Sequence, residues 1–135
     1  MNWKMNPLSL KQAIKLAKTS DKKNVVLCPP FVFLSEVKKS IKNAELGAQN
    51  SFWENPPIGG GAFTGEISPL ILKEMGCRYV IIGHSERRKH LRETDEMVNK
   101  KIKSALVVGL KPILCVGSKK KDKLAEREIK IQLKN

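Results

Sequence analysis

Short apolar runs recur along this chain, and most are followed by a segment whose apolar residues fall at helical spacing. That alternation is what most limits the fold. The clearest runs are Val25-Val26-Leu27-Cys28, Tyr79 to Ile82 and Pro112 to Val116, with Leu46-Gly47-Ala48-Gln49 a weaker case. Asn2-Trp3-Lys4-Met5 reads as a further short strand at the start. Between them, Leu10, Ala13, Ile14 and Ala17 form one apolar stripe, Leu34, Val37 and Ile41 a second, and Val98, Ile102 and Ala105 another. Strands that are apolar throughout, alternating with amphipathic helices, describe a parallel sheet covered by helices. The spacing predicts five strands and four or five helices in one structural unit spanning residues 1–135.

Local signals place the helix ends. Asn6-Pro7 reads as an N-cap with proline at the first helical position, and Ser68-Pro69 as another. Ser85 can cap a short helix after the Tyr79–Ile82 strand. A last helical stripe, Ala125, Ile129 and Leu133, closes the chain. The glycine-rich stretch from about Ser51 to Gly65 is too long for an ordinary turn, which marks it as functional or interfacial.

Composition narrows the function classes. The longest apolar runs are far too short to cross a membrane, and no secretory leader pattern is present, so a cytoplasmic protein without a membrane partner is expected. Three cysteines at no ligand-like spacing read as reduced thiols. The net charge of +13 admits a nucleic-acid partner, an anionic substrate, or lysine-rich surfaces. Lysines are scattered over the helices, with one dense run at Lys119–Lys121 and Lys123. Aromatic residues are only 5%, with no basic-aromatic interleaving for base stacking, so no nucleic-acid partner is expected. A phosphate-binding loop, a Cys/His metal array and a serine nucleophile elbow are all missing from the sequence. No cofactor or metal is therefore expected.

The chemistry concentrates at the carboxyl ends of the strands, where parallel α/β folds bind ligands. Asn2 and Lys4 share one face of the first strand, opposite Trp3 and Met5. An exposed terminal strand explains that lysine as well as a site does. His84 and Glu86 leave the Tyr79–Ile82 strand at the start of a helix, whose positive end favours anions and a neutral imidazole. The alternative is a surface ion-pair cluster of Glu86, Arg87 and Arg88. His90 reads as solvent-exposed.

Seven stretches together resemble the triosephosphate isomerase family: "NWKMN" at 2–6, "CPPF" at 28–31, "GAQN" at 47–50, "GAFTGEISP" at 61–69, "YVIIGHSERR" at 79–88, "ETDE" at 93–96 and "GLKPILCVG" at 109–117. They occur in the family's order and span nearly the whole chain. The resemblance implies an α/β fold of the TIM (β/α)8-barrel family, here incomplete, carrying the first strand in shortened form through the fifth. A complete barrel has eight strands and about 250 residues. The implied reaction interconverts dihydroxyacetone phosphate and glyceraldehyde 3-phosphate, in glycolysis and gluconeogenesis, by proton transfer through an enediolate.

The resemblance also implies roles. Asn2 and Lys4 hold the substrate, Lys4 with positive charge near the phosphate and the enediolate. His84 polarises the carbonyl, and Glu86 stands beside the lysine. Thr64, near the tip of the long loop, reaches into a second subunit of a homodimer. Nothing in the chain matches the family's catalytic glutamate, its lid or its late phosphate-gripping loops. Met1 stands where the family has a glycine preceded by further strand residues, and Ser118 where it usually has a glutamate. Little or no isomerase activity is expected of the chain alone. Two other readings remain: a non-catalytic half-barrel, and a basic nucleic-acid-binding protein.

Overall fold

The computed structural model describes residues 1–54 and 61–117, together with the helical positions Glu126 and Lys130. The strands are β1 (Val26–Leu27), β2 (Glu45–Ala48), β3 (Tyr79–Ile82) and β4 (Lys111–Leu114). They form one parallel sheet in sequence order, with Leu27 beside Leu46, Ala48 beside Val80 and Ile82 beside Leu114. Each step between neighbours crosses over through helix: α2 (Leu34–Ser40) after β1, α3 (Pro69–Glu74) after β2, and α4 (Ser85–Leu91) then α5 (Asp95–Val107) after β3. Helix α1 (Leu10–Ser20) precedes β1, and a 3-10 turn at Phe31–Phe33 leads into α2. Leu27, Leu46, Val80 and Ile82 from the sheet meet Leu34, Val37, Leu72 and Val98 from the helices in a continuous buried core. This is the expected architecture.

Gly47 makes the sheet's close packing possible. A Cβ there would stand 2.7 Å from Cys28 Sγ and 2.9 Å from Val26 Cγ1, so only a residue without a side chain fits between them. Cys28 and Cys77 are buried free thiols whose pKa values burial pushes up to about 11 and about 12, and Cys115 is also free. All three match the expectation of reduced cysteines.

The structure corrects three readings. The N-terminal segment is not a strand: it makes one parallel bridge, Asn2 to Cys28, and Lys4 then turns into the left-handed region at φ 54°. The Asn2 side chain causes the turn by accepting the Lys4 N–H at 2.9 Å, an Asx turn that outcompetes extension. Face alternation stops there, so Trp3 is buried while Met5 is 84% exposed. The described sheet therefore has four strands plus this bridge, not five strands.

Helix α1 is capped by Ser9, whose Oγ accepts from the Gln12 N–H, and not by Asn6 before Pro7. Starting at Leu10 still places Ala13 and Ala17 on the buried face. Strand β4 begins one residue earlier than expected and stops at Leu114. Pro112 has no N–H to pair, so the first sheet bond comes from the Lys111 N–H to Arg78 O at 2.8 Å.

Ser68 caps α3 as expected, accepting from the Leu70 N–H. The expected C-terminal helix through Ala125, Ile129 and Leu133, the lysine run at 119–121 with Lys123, Ser118, and positions 55–60 of the long loop lie outside the described residues.

Candidate active site

An open cleft of about 740 Å³ lies at the carboxyl ends of the strands. Asn2, Lys4, His84 and Glu86 all line it, together with Gln49, Asn50, Glu66 and Arg87. Four residues singled out by sequence are thus brought together from the N-terminal turn and from the segment that follows β3.

Lys4 arrives by way of the Asx turn, not by strand alternation. Its carbonyl is then fixed from the next layer: Gln49 Nε2 donates to Lys4 O and to Cys28 O, both at 2.9 Å. The ammonium lies 2.5 Å from Glu86 Oε1. That hydrogen bond from Lys4 holds the Glu86 carboxyl below its ordinary range, outweighing the desolvation that would raise it. The cleft therefore contains a fixed ion pair at neutral pH.

His84 follows from Gly83, which bends the chain out of β3 at φ 74°. A Cβ on Gly83 would sit 3.2 Å from both Cys115 O and Arg88 Nη2. His84, not Ser85, is the N-cap of α4. Its Nδ1 accepts the Glu86 N–H at 3.3 Å, while Glu86 Oε2 stands further from the same atom at 3.5 Å. A ring nitrogen that accepts an amide proton carries none itself, which leaves Nε2 as the imidazole's donor. The arrangement presents a hydrogen-bond donor and an ammonium to one cleft, the equipment for polarising a carbonyl and stabilising the oxyanion that develops from it. His90 is exposed at the rim.

Helix α4 buries none of its own residues. Ion pairs fasten it instead. Arg87 Nε donates to Glu93 Oε2 at 2.5 Å, and Arg88 donates to Asp95 Oδ1 at 2.6 Å and to Gly83 O at 2.9 Å. Beneath Arg87, Lys101 Nζ reaches Glu93 Oε2 at 3.1 Å and Asn50 Oδ1 at 2.8 Å. The Lys101 and Glu93 side chains are only 3% and 2% exposed.

Burial pushes the Glu93 carboxyl up, but the Arg87 and Lys101 contacts outweigh it and the net shift is down. For Lys101, burial lowers the pKa and its single carboxylate partner does not fully restore it. The balances differ because two cations outweigh burial at Glu93, whereas at Lys101 burial and the nearby Arg87 charge outweigh Glu93 and the more distant Glu66.

This network was not singled out from the sequence, although a signal existed. Lys101 falls at i+3 from Val98 and i+4 before Ala105, on the buried face of α5, where a lysine requires a partner.

Thr64 is exposed in a turn of the loop and does not line the cleft. Beside it, Phe63 packs on Phe52 with ring centroids 4.8 Å apart, tying that part of the loop to the body. Among the described residues no group of three or more His, Cys, Asp or Glu could hold a metal ion, and no helix is long and apolar enough to cross a membrane.

Comparison with known proteins identifies the family and the fold. The family model for triosephosphate isomerase matches residues 1–135. The chain is 52% identical over 126 residues to a triosephosphate isomerase of Dictyoglomus thermophilum, covering 87% of this chain and 49% of that protein. Against one from Thermoanaerobacter pseudethanolicus it is 53% identical over 135 residues, covering 94% and 51%. It thus spans about half the length of the curated relatives it matches. In three dimensions it is similar to the crystal structure of triosephosphate isomerase from Bartonella henselae, with a TM-score of 0.81 at 34% identity. That match covers 98% of this chain and 58% of the other. The parallel sheet and its helices are an incomplete TIM (β/α)8 barrel.

Proposed function

Because the chain belongs to the triosephosphate isomerase family, we propose that its cleft is the carbonyl-polarising half of a triose-phosphate isomerase site. The reaction interconverts dihydroxyacetone phosphate and glyceraldehyde 3-phosphate through an enediolate, as a step of glycolysis and gluconeogenesis in the cytoplasm. His84 donates from Nε2 to the substrate carbonyl. Lys4 supplies the positive charge that meets the phosphate and the developing oxyanion, and Asn2 helps hold the substrate. Glu86 supports both, pairing with the lysine and offering its amide to the imidazole. The complete protein is a homodimer in which the loop carrying Thr64 enters the partner. Residues 1–135 act as one partial barrel unit.

The observation that carries this reading is the convergence of Lys4, Glu86 and His84, from distant points of the chain, on one cleft at the strand ends. The reaction also needs a carboxylate base. Of the carboxylates lining the cleft, Glu86 is committed to Lys4 and Glu66 sits in the exposed segment before α3. Among the described residues, the cleft thus offers the groups that bind and polarise the substrate, and no carboxylate already aligned with them as a base. Titrating dihydroxyacetone phosphate into the isotopically labelled chain tests this. The His84 ring and Lys4 ammonium resonances shift together with one dissociation constant if the reading holds. Saturating ligand that leaves both unmoved contradicts it.

A further inference from the structure

The outward side of α1 carries a row of lysines that the triose-phosphate reading leaves without a role. Ala13 and Ala17 mark the face of α1 that packs inward. At 3.6 residues per turn, Lys11, Lys15 and Lys18 lie within about 60° of one another, centred about 150° from those alanines. All three are exposed, and exposed Lys22 and Lys23 follow directly beyond the helix end. The scatter of lysines seen in the sequence is here an ordered ridge.

Among the described residues no carboxylate offsets it. Helix α1, LKQAIKLAKTS, contains no acidic residue. Asp21, at its end, is occupied by the backbone N–H groups of Lys42, Asn43 and Ala44, and Glu36 on neighbouring α2 pairs with Lys39. Among the described residues none of the five lysines forms an ion pair. Bare like charges along one line repel, and an aligned polyanion relieves that repulsion.

We propose that the outer ridge of α1 binds the phosphate backbone of duplex nucleic acid. The lysines rise about 4.5–6 Å from one to the next, alongside phosphates that recur about every 3.4 Å per strand. A helix about 10–12 Å across also fits a B-form major groove about 12 Å wide. Lysines dominate the ridge and meet phosphates as point charges, so the contact is mainly electrostatic. An anionic membrane fits less well, because the ridge itself is polar and its nearest apolar neighbour, Ile14, is half-buried. This departs from the expectation that nucleic acid is not a partner: a missing stacking platform argues against holding unstacked single-strand bases, not against binding a duplex backbone.

The test is a salt titration of binding to a fluorescent DNA duplex of about 20 base pairs. It compares the chain with Lys11→Gln/Lys15→Gln/Lys18→Gln, the matching triple Lys→Arg variant, and a control that removes equal charge elsewhere, Lys100→Gln/Lys103→Gln/Lys111→Gln. Removing three phosphate contacts makes the slope of log K against log salt shallower by about 3, at ~0.9 per contact. The ridge Gln variant is expected to show that loss, while the Arg variant and the control keep the original slope. Far-UV circular dichroism of each variant accompanies the titration; should the Gln variant lose its helix signal, single Lys15→Gln and Lys18→Gln variants are read instead, each expected to lower the slope by about 1. Equal losses in ridge and control variants would overturn the proposal, as would no duplex binding at low salt. Binding to phosphatidylserine vesicles without duplex binding would overturn it as well.

Discussion

Lys4 Nζ lies 2.5 Å from Glu86 Oε1, an ion pair between residues 82 positions apart. It links the N-terminal turn to the helix after β3 and sets two of the cleft's charges in register. Both side chains are about half exposed, so solvent screens the pair and its contribution to stability is small. Its effect is on the site: the lysine is aimed at the cleft by a partner that does not itself need to meet substrate.

Replacing Lys4 with Met is therefore expected to act on binding rather than on folding. A hydrogen bond to a charged group contributes about 1.5–3 kcal/mol, which corresponds to about 10- to 150-fold in affinity for dihydroxyacetone phosphate. Isothermal calorimetry reads that loss, and the thermal midpoint of the variant stays close to that of the parent chain.

The buried network behind α4 behaves in the opposite way. Glu93→Leu leaves the Lys101 ammonium buried without its carboxylate and is expected to destabilise the chain by about 3–5 kcal/mol in urea unfolding. The double variant Glu93→Leu/Lys101→Leu removes both charges and recovers most of that loss. A double variant no more stable than the single would show that the charges themselves are not what matters there.

Acid should destabilise the chain through the same group. Glu93 is held below its ordinary carboxylate range, with the Arg87 and Lys101 contacts overcoming burial. Glu86 is lowered by Lys4, and Asp21 by the amides of Ala44 and Lys42. A depressed folded pKa gives stability that is complete above the unfolded value, about 4.3 for Glu and 3.9 for Asp, and is lost as pH falls through the folded values. Urea midpoints are expected to stay level from neutral pH down to about 5 and to drop below about 4. The drop becomes shallower in Glu93→Gln.

Gly83→Ala tests the delivery of His84. At φ 74° an alanine is strained by about 1–2 kcal/mol, and its Cβ would also crowd Cys115 O at 3.2 Å. The variant should melt lower and shift the His84 ring resonances, because the bend that presents the imidazole is disturbed.

Much of this was legible in the chain itself, for identifiable reasons. The apolar runs of β2 and β3 lie in the interior, so burial enforces their pattern, and Tyr79–Ile82 matched to the residue, whereas β4 alternates between exposed and half-buried positions. The cleft's His84 and Glu86 followed from their position at a strand end. Lys4 reached its predicted place by an unpredicted route, since an Asx turn is a two-residue competition between side chain and backbone that periodicity does not register. The Glu93–Lys101 pair depends on α5 and α4 meeting in space, and only the misplaced lysine in an apolar stripe hinted at it. Strand β4 moved by one residue because proline cannot donate, a local rule that apolar content alone overlooks.

On the proposed function, Asn2, Lys4 and His84 bind and polarise a triose phosphate while no described residue stands ready as the base. A coupled assay of the purified chain, with dihydroxyacetone phosphate and glyceraldehyde 3-phosphate in turn, tests it most directly. Turnover is expected at or near background in both directions, with substrate still bound at His84. Turnover near that of full-length triosephosphate isomerases would overturn this, and its loss in Glu66→Gln would identify Glu66 as the base.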